Sequence, residues 1–139
     1  MTEQDLQDLI VQANEELIGR RNASRATEYF TPKYVIHLSD REVAGTGPEF
    51  VQDFLRQLLN AFTDLEVEVE ILVASGDRIA WVRTMAGTHK SDFMGLPGSG
   101  QRVTWREMLV SRIDEGKIAE EWHVSDLVAN IVRKAKRES

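Results

Sequence analysis

This 139-residue chain predicts an α+β fold in which a curved antiparallel sheet packs against three N-terminal helices and encloses a pocket. Three features of the hydropathy pattern point there. Up to Phe62, most apolar residues recur at helical spacing. From Leu65 onward the period changes to two. Glycine-containing turns separate the alternating runs, as in a meander of antiparallel strands.

Thr2 can cap a first helix whose apolar face is Leu6, Leu9, Ile10, Ala13, Leu17 and Ile18. Asn22 or Ser24 can cap a short second helix ending near Phe30, and Thr31-Pro32 breaks it. Tyr34 to Leu38 reads as a short strand, and Ser39 to Gly47 as a polar loop. Pro48 suits the first position of a third helix with Phe50, Val51, Phe54, Leu55, Leu58, Leu59 and Phe62 on one face. Leu65 to Ala74 alternates, with Glu66, Glu68 and Glu70 on the solvent side. Ser75-Gly76-Asp77 turns the chain into a long strand from Arg78 to His89. A Pro/Gly loop follows, then strands Arg102 to Asp114 and Lys117 to Ser125 around a turn at Asp114-Glu115-Gly116. Leu127, Val128, Ile131 and Val132 predict a short final helix. Residues 1–139 read as one domain, without internal repeats or linkers.

Composition narrows the function. Apolar residues are 42% of the chain and charged residues 29%, as in ordinary globular proteins. There are no cysteines, so disulfides, thiolate metal sites and a Cys nucleophile are excluded; a reducing, cytoplasmic location fits. The net charge of −6 opposes nucleic-acid binding. The basic cluster Arg133, Lys134, Lys136 and Arg137 suits a helix C-terminus. The start MTEQDLQDLI lacks a signal-peptide pattern, and no apolar stretch has the length of a membrane span. Three scattered histidines show no metal-ligand spacing, and phosphate-loop, dinucleotide and GxSxG patterns are absent. A mechanism without metal or cofactor is the natural expectation.

Several residues could carry chemistry. Asp126 ends the last strand beside Trp122 and Val124, where poor solvation would raise its pKa; it also precedes a helix that it could cap. Both readings stay open. His89 shares a strand face with Trp81, Arg83 and Met85 and either meets substrate or pins the following loop. His123 has the opposite parity to Trp122 and Asp126, which places it on the other sheet face and outside the site. Trp105 and Trp122 can pair across the last hairpin and wall a hydrophobic ligand, or fill the core. Phe93, Met94 and Leu96 suit a lid or a subunit contact.

The segments GPEFVQDFLRQLLNAFTDLEVEVEILVASGDRIAWVRTMAGTH and GLPGSGQRVTWREMLVSRIDEGKIAEEWHVSD resemble SnoaL-like polyketide (ester) cyclases, within the nuclear transport factor 2-like and ketosteroid isomerase-like superfamily. The resemblance covers nearly the whole chain. It departs at Leu96-Pro97-Gly98-Ser99-Gly100 and after Asp126. It implies a cone-shaped sheet and a cofactor-independent enzyme that closes rings in a small hydrophobic carbonyl compound by intramolecular aldol condensation. Asp126 would be the general acid/base and His89 would polarise or protonate an oxygen. His37 with Tyr34, Trp105, Trp122 and Phe93 would contact substrate. Isomerisation, epoxide hydrolysis through an Asp-Arg-Asp arrangement of which Arg83, Arg106 and Asp126 offer pieces without an evident second aspartate, and ligand binding without turnover are the alternatives. A homodimer through the outer sheet face is expected.

Overall fold

The computed structural model describes residues 1–39 and 41–137, with the side chains of Arg41 and Arg137 outside the described set. The first helix, α1 (Glu3–Asn14), starts at a reciprocal cap: Thr2 Oγ1 accepts from the Asp5 amide at 3.1 Å, and Asp5 Oδ2 accepts from the Thr2 amide at 2.8 Å. It runs into one wide π turn, Glu15–Gly19, where a continuous α-helix was expected. A short 3₁₀ segment, Ala23–Glu28, stands where the second helix was expected. Then come β1 (Phe30–Leu38), β2 (Arg41–Thr46) and α2 (Gly47–Ala61), with proline in its first turn. The expected polar loop before α2 therefore contains a strand. The meander follows as β3 (Glu66–Ser75), β4 (Arg78–Thr88), β5 (Arg102–Asp114) and β6 (Lys117–Ser125), and α3 (Leu127–Arg137) closes the chain. Among the described residues, no helix is long and apolar enough to cross a membrane.

The six strands form one curved open sheet in the order β2-β1-β6-β5-β4-β3. The neighbouring pairs are antiparallel except β1 and β6, which run parallel. Helices α1 and α2 cover the concave face. Leu6 and Ile10 of α1, Leu17 and Ile18 of the π turn, and Leu55 and Leu58 of α2 with the following Phe62 share one core with Ile79, Trp81, Met85, Trp105 and Leu109 of the sheet.

One irregularity decides which side chains enter the concavity. Ile113 pairs with Ile118, but Arg112 pairs with Glu120, so β6 carries one extra residue. Ile118 and Ala119 are both buried at this bulge. Strict alternation from Ile118 would turn Glu120, Trp122 and Val124 inward. The extra residue turns Glu121 and His123 inward instead and sends Trp122 to the convex face.

The loop after β4 is tied back by its own backbone. His89 and Gln101 pair through the His89 amide at 2.9 Å, and Gly100 donates to the His89 carbonyl at 2.8 Å. Phe93 and Leu96 exchange two bonds of 2.9 Å around Met94-Gly95. A Cβ at Gly98 would lie 2.4 Å from the Lys90 carbonyl oxygen. Gly98→Ala should therefore lower stability by about 1–3 kcal/mol. Thermal unfolding followed by circular dichroism checks this, and an unchanged midpoint would show that the loop is not held against Lys90.

Candidate active site

Between the helices and the concave face lies a cavity of about 360 Å³. Its walls are mostly apolar, from Leu17, Phe30, Phe54, Leu55, Leu109 and Ile118 among others. Ser39, Met94 and Val128 border it and are exposed, which puts its mouth at the C-terminal ends of β1 and β6. Phe30 and Ile118, at the starts of those strands, form the far end.

Polar side chains interrupt the walls at two levels. Near the mouth, Glu107 on β5 is buried, and Arg83 on β4 donates to its Oε1 through Nε at 2.6 Å. The cross-strand pairing of Arg83 with Glu107 brings these two charges together. His123 Nε2 stands 3.1 Å from the same Oε1, at ion-pair distance without aligned hydrogen-bond geometry. The other carboxylate oxygen accepts from Trp105 Nε1 and from Ser125 Oγ, both at 3.1 Å. Arg83 also donates through Nη1 to Asn14 Oδ1 at 3.0 Å, and Asn14 is oriented by its own bond to the Ile10 carbonyl at 2.9 Å. Asn14 sits where α1 passes into the π turn. Burial pushes the Glu107 carboxyl up, but Arg83 and His123 together outweigh it and hold the group well below the usual carboxylate range.

At the far end, Glu121 Oε1 accepts from Tyr34 at 2.7 Å and Oε2 accepts from Ser111. Ser111 in turn accepts from Trp81 Nε1 at 2.9 Å. Burial, and then the neighbouring Glu121 carboxylate, raise the Tyr34 hydroxyl well above its ordinary pKa, so it stays protonated and donates.

The residues expected at the site are not all gathered here. Tyr34 borders the cavity. Trp105 stands behind Glu107 and packs on Phe62, with ring centroids 5.1 Å apart. Phe93 lies in the core against Phe54 and Phe62. His89 is fully buried beneath the loop and stacked on Phe62, away from the cavity lining, and neither ring nitrogen has a hydrogen-bond partner among the described residues.

The bulge carries Trp122 to the convex face, opposite Trp105, where it stacks on His37 and lies under the Arg78 guanidinium. His37 follows Trp122 because their strands pair at that row; it bonds Glu120 Oε2 at 2.7 Å and the Glu42 carbonyl. Asp126 is exposed and does not border the cavity. Its carboxylate accepts from the Arg106 amide at 2.8 Å, while Ser125 Oγ takes the first α3 amide at 3.1 Å.

The parity that sets His123 apart from Trp122 holds, but the bulge exchanges the two faces, so His123 is the one inside. The signal for Glu107 and Arg83 was in the sequence: each is a charged residue on an otherwise apolar strand face, Trp105-Glu107-Leu109 and Trp81-Arg83-Met85. An Asp-Arg-Asp arrangement is not formed around Arg83, whose neighbours are Glu107 and Asn14.

A curved open six-stranded sheet covered by helices, with a cavity between the layers, is the nuclear transport factor 2-like cone fold. The family model for SnoaL-like polyketide cyclases matches residues 8–131, and the chain belongs to that family. Among solved structures, the chain is similar to AclR of Streptomyces galilaeus, described as a proposed hydroxylase, at 27% identity and a TM-score of 0.83, covering 98% of each chain. It is similar to a SnoaL-like polyketide cyclase from Agrobacterium tumefaciens at 27% identity and a TM-score of 0.74, covering 96% of this chain and 98% of that one. It is also similar to IdmH from Streptomyces antibioticus, described as a proposed polyketide cyclase, at 25% identity and a TM-score of 0.74, covering 92% and 96%. No curated protein sequence matches the chain.

Because the folded Glu107 carboxyl titrates below its ordinary value of 4.5, its stabilisation is complete above that pH and is lost as pH falls through the folded value. Urea unfolding from about pH 6 down to about pH 3 should show a larger loss of stability for the native protein than for Glu107→Gln. Glu107→Ala leaves the largely buried Arg83 guanidinium without its carboxylate and should cost about 3 kcal/mol. A loss under about 1 kcal/mol would mean that water already solvates the pair.

Proposed function

We propose that this protein is a cofactor-independent acid/base enzyme acting on a small hydrophobic carbonyl compound, with Glu107 and His123 as its proton-handling pair. The observation that supports this reading is the buried contact of His123 with an ionised Glu107 at the wall of an apolar cavity. A carboxylate held ionised by Arg83 stabilises the imidazolium that forms when His123 takes a proton. The proton comes from a C–H next to a carbonyl, and the enolate left behind closes a ring on a second carbonyl. His123 then returns the proton to the alkoxide. The Arg83 guanidinium supplies positive charge near the developing oxyanion. The apolar walls hold the chain of the substrate folded for closure.

The first step can be tested without the natural substrate. Hydrogen–deuterium exchange at the acidic carbon of 2-tetralone, followed by NMR in D₂O, should be accelerated by the protein. His123→Asn should reduce the acceleration by about 100-fold or more. Asp126→Asn should leave it within about threefold, because Asp126 is exposed and bonded to the β5 backbone. The reverse pattern would move the acid/base role to Asp126.

We propose also that two copies pair through the convex sheet face. Val82, Met108 and Val124 stand in one row across β4, β5 and β6, and Met108 and Val124 are each more than half exposed. Leu72, Val73 and Trp122 extend this apolar band. Glu66, Glu68 and Glu70 flank it on β3, and Arg106 and Arg112 on β5. A two-fold contact would bring acidic and basic flanks together. Sedimentation should show a dimer that Met108→Glu converts to a monomer; a monomeric native protein would overturn the pairing.

A further inference from the structure

The far end of the cavity holds a second polar centre that the acid/base pair does not use. Glu121 is a buried carboxylate whose two oxygens accept from Tyr34 and Ser111. The direction of these bonds follows from the donors. Trp81 Nε1 can only donate, so Ser111 Oγ is its acceptor and the single Ser111 hydrogen goes to Glu121. Tyr34 donates its hydrogen to the other oxygen. An ionised carboxylate has about four acceptor positions, so roughly two remain for a ligand. Every group of this cluster that borders the cavity therefore still offers acceptors, and its donors are already committed.

The position along the strand sets the scale. Glu121 and His123 are successive inward residues of β6, about 7 Å apart along it. Glu107 pairs with Ser125, which places it about 13 Å further along the same direction from Glu121. One ring spans the interval from Glu121 to His123.

We infer that Glu121, with Tyr34 holding it, is a recognition site for a hydroxyl group on the end of the substrate that enters the cavity first. The inference takes the cavity as the substrate site, as the proposed function does, and names the class of compound: a carbonyl substrate bearing a hydroxyl about one ring away from the acidic carbon. A carboxylate at that end would face Glu121 with no donor of its own. An ammonium would have to shed its water against apolar walls of Phe30 and Ile118. A hydroxyl meets the acceptors at the smallest desolvation cost.

Titration calorimetry with 2-naphthol, naphthalene, 2-naphthoate and 2-naphthylmethylammonium tests this on the native protein. The expected result is 2-naphthol binding about tenfold tighter than each of the other three. Glu121→Gln, which preserves shape, should reduce that preference to about threefold or less. Equal binding of naphthol and naphthalene, tighter binding of the naphthoate or the ammonium, or an undiminished preference in Glu121→Gln would each overturn the assignment. His123→Asn separates this from the acid/base reading, because it should abolish tetralone exchange and keep the naphthol preference. If exchange fails in the native protein while the preference stands, only the acid/base reading falls.

Discussion

Two residues of β6, Ile118 and Ala119, stand opposite one position of β5, and every side chain after them is displaced by one step. Without that extra residue the concave face would receive Glu120, Trp122 and Val124, and His123 would not stand beside Glu107. With it, Glu121 and His123 face the cavity, and Ser125 reaches Glu107. A bulge costs a little ladder pairing and re-aims a whole strand end. Both polar levels of the site depend on this displacement, because each combines a β5 residue with a β6 residue across the same hairpin.

The Arg83–Glu107 pair shows how charges are kept in such a place. Removing two ions from water is costly, and their attraction offsets this only when the remaining donors and acceptors are matched. Trp105, Ser125 and His123 surround the carboxylate, and Asn14 takes a guanidinium nitrogen. Asn14 comes from the helical layer, at the point where α1 widens into a π turn. The layer that closes the cavity thus also completes its electrostatics. The mouth level sets an ionised carboxylate against an imidazole, whereas the Tyr34–Glu121–Ser111 cluster offers acceptors alone.

The loop after β4 contributes cover rather than chemistry. Its exposed Met94 borders the cavity mouth, while Phe93 one residue earlier is sunk in the core between Phe54 and Phe62. His89 belongs to the same packing, stacked on Phe62. Burial of these rings anchors the loop, so Met94 rests on a firm support.

Local pattern was enough to place β3 to β6, α1, α2 and α3, but not β2, whose residues read as a polar loop, nor the 3₁₀ segment, which read as a helix. The period-two runs of β3 to β6, the apolar face of α2 and the glycine turns express steric and hydropathic preferences that act within a few residues. Family resemblance could be read from the same stretches. The faces of β6 could not, because a bulge leaves no local mark: Ile118-Ala119 reads as ordinary alternation until the partner strand sets the register. That is why alternation set Trp122 toward the site and His123 outside it; Asp126 and His37 entered through the family resemblance instead. Glu107 and Arg83 were visible as charges on apolar strand faces, yet only cross-strand pairing and the approach of Asn14 from α1 made them one ion pair in one cavity. The chain's sequence determined which elements form; long-range register and layer packing decided which of its ionisable groups share a dry space.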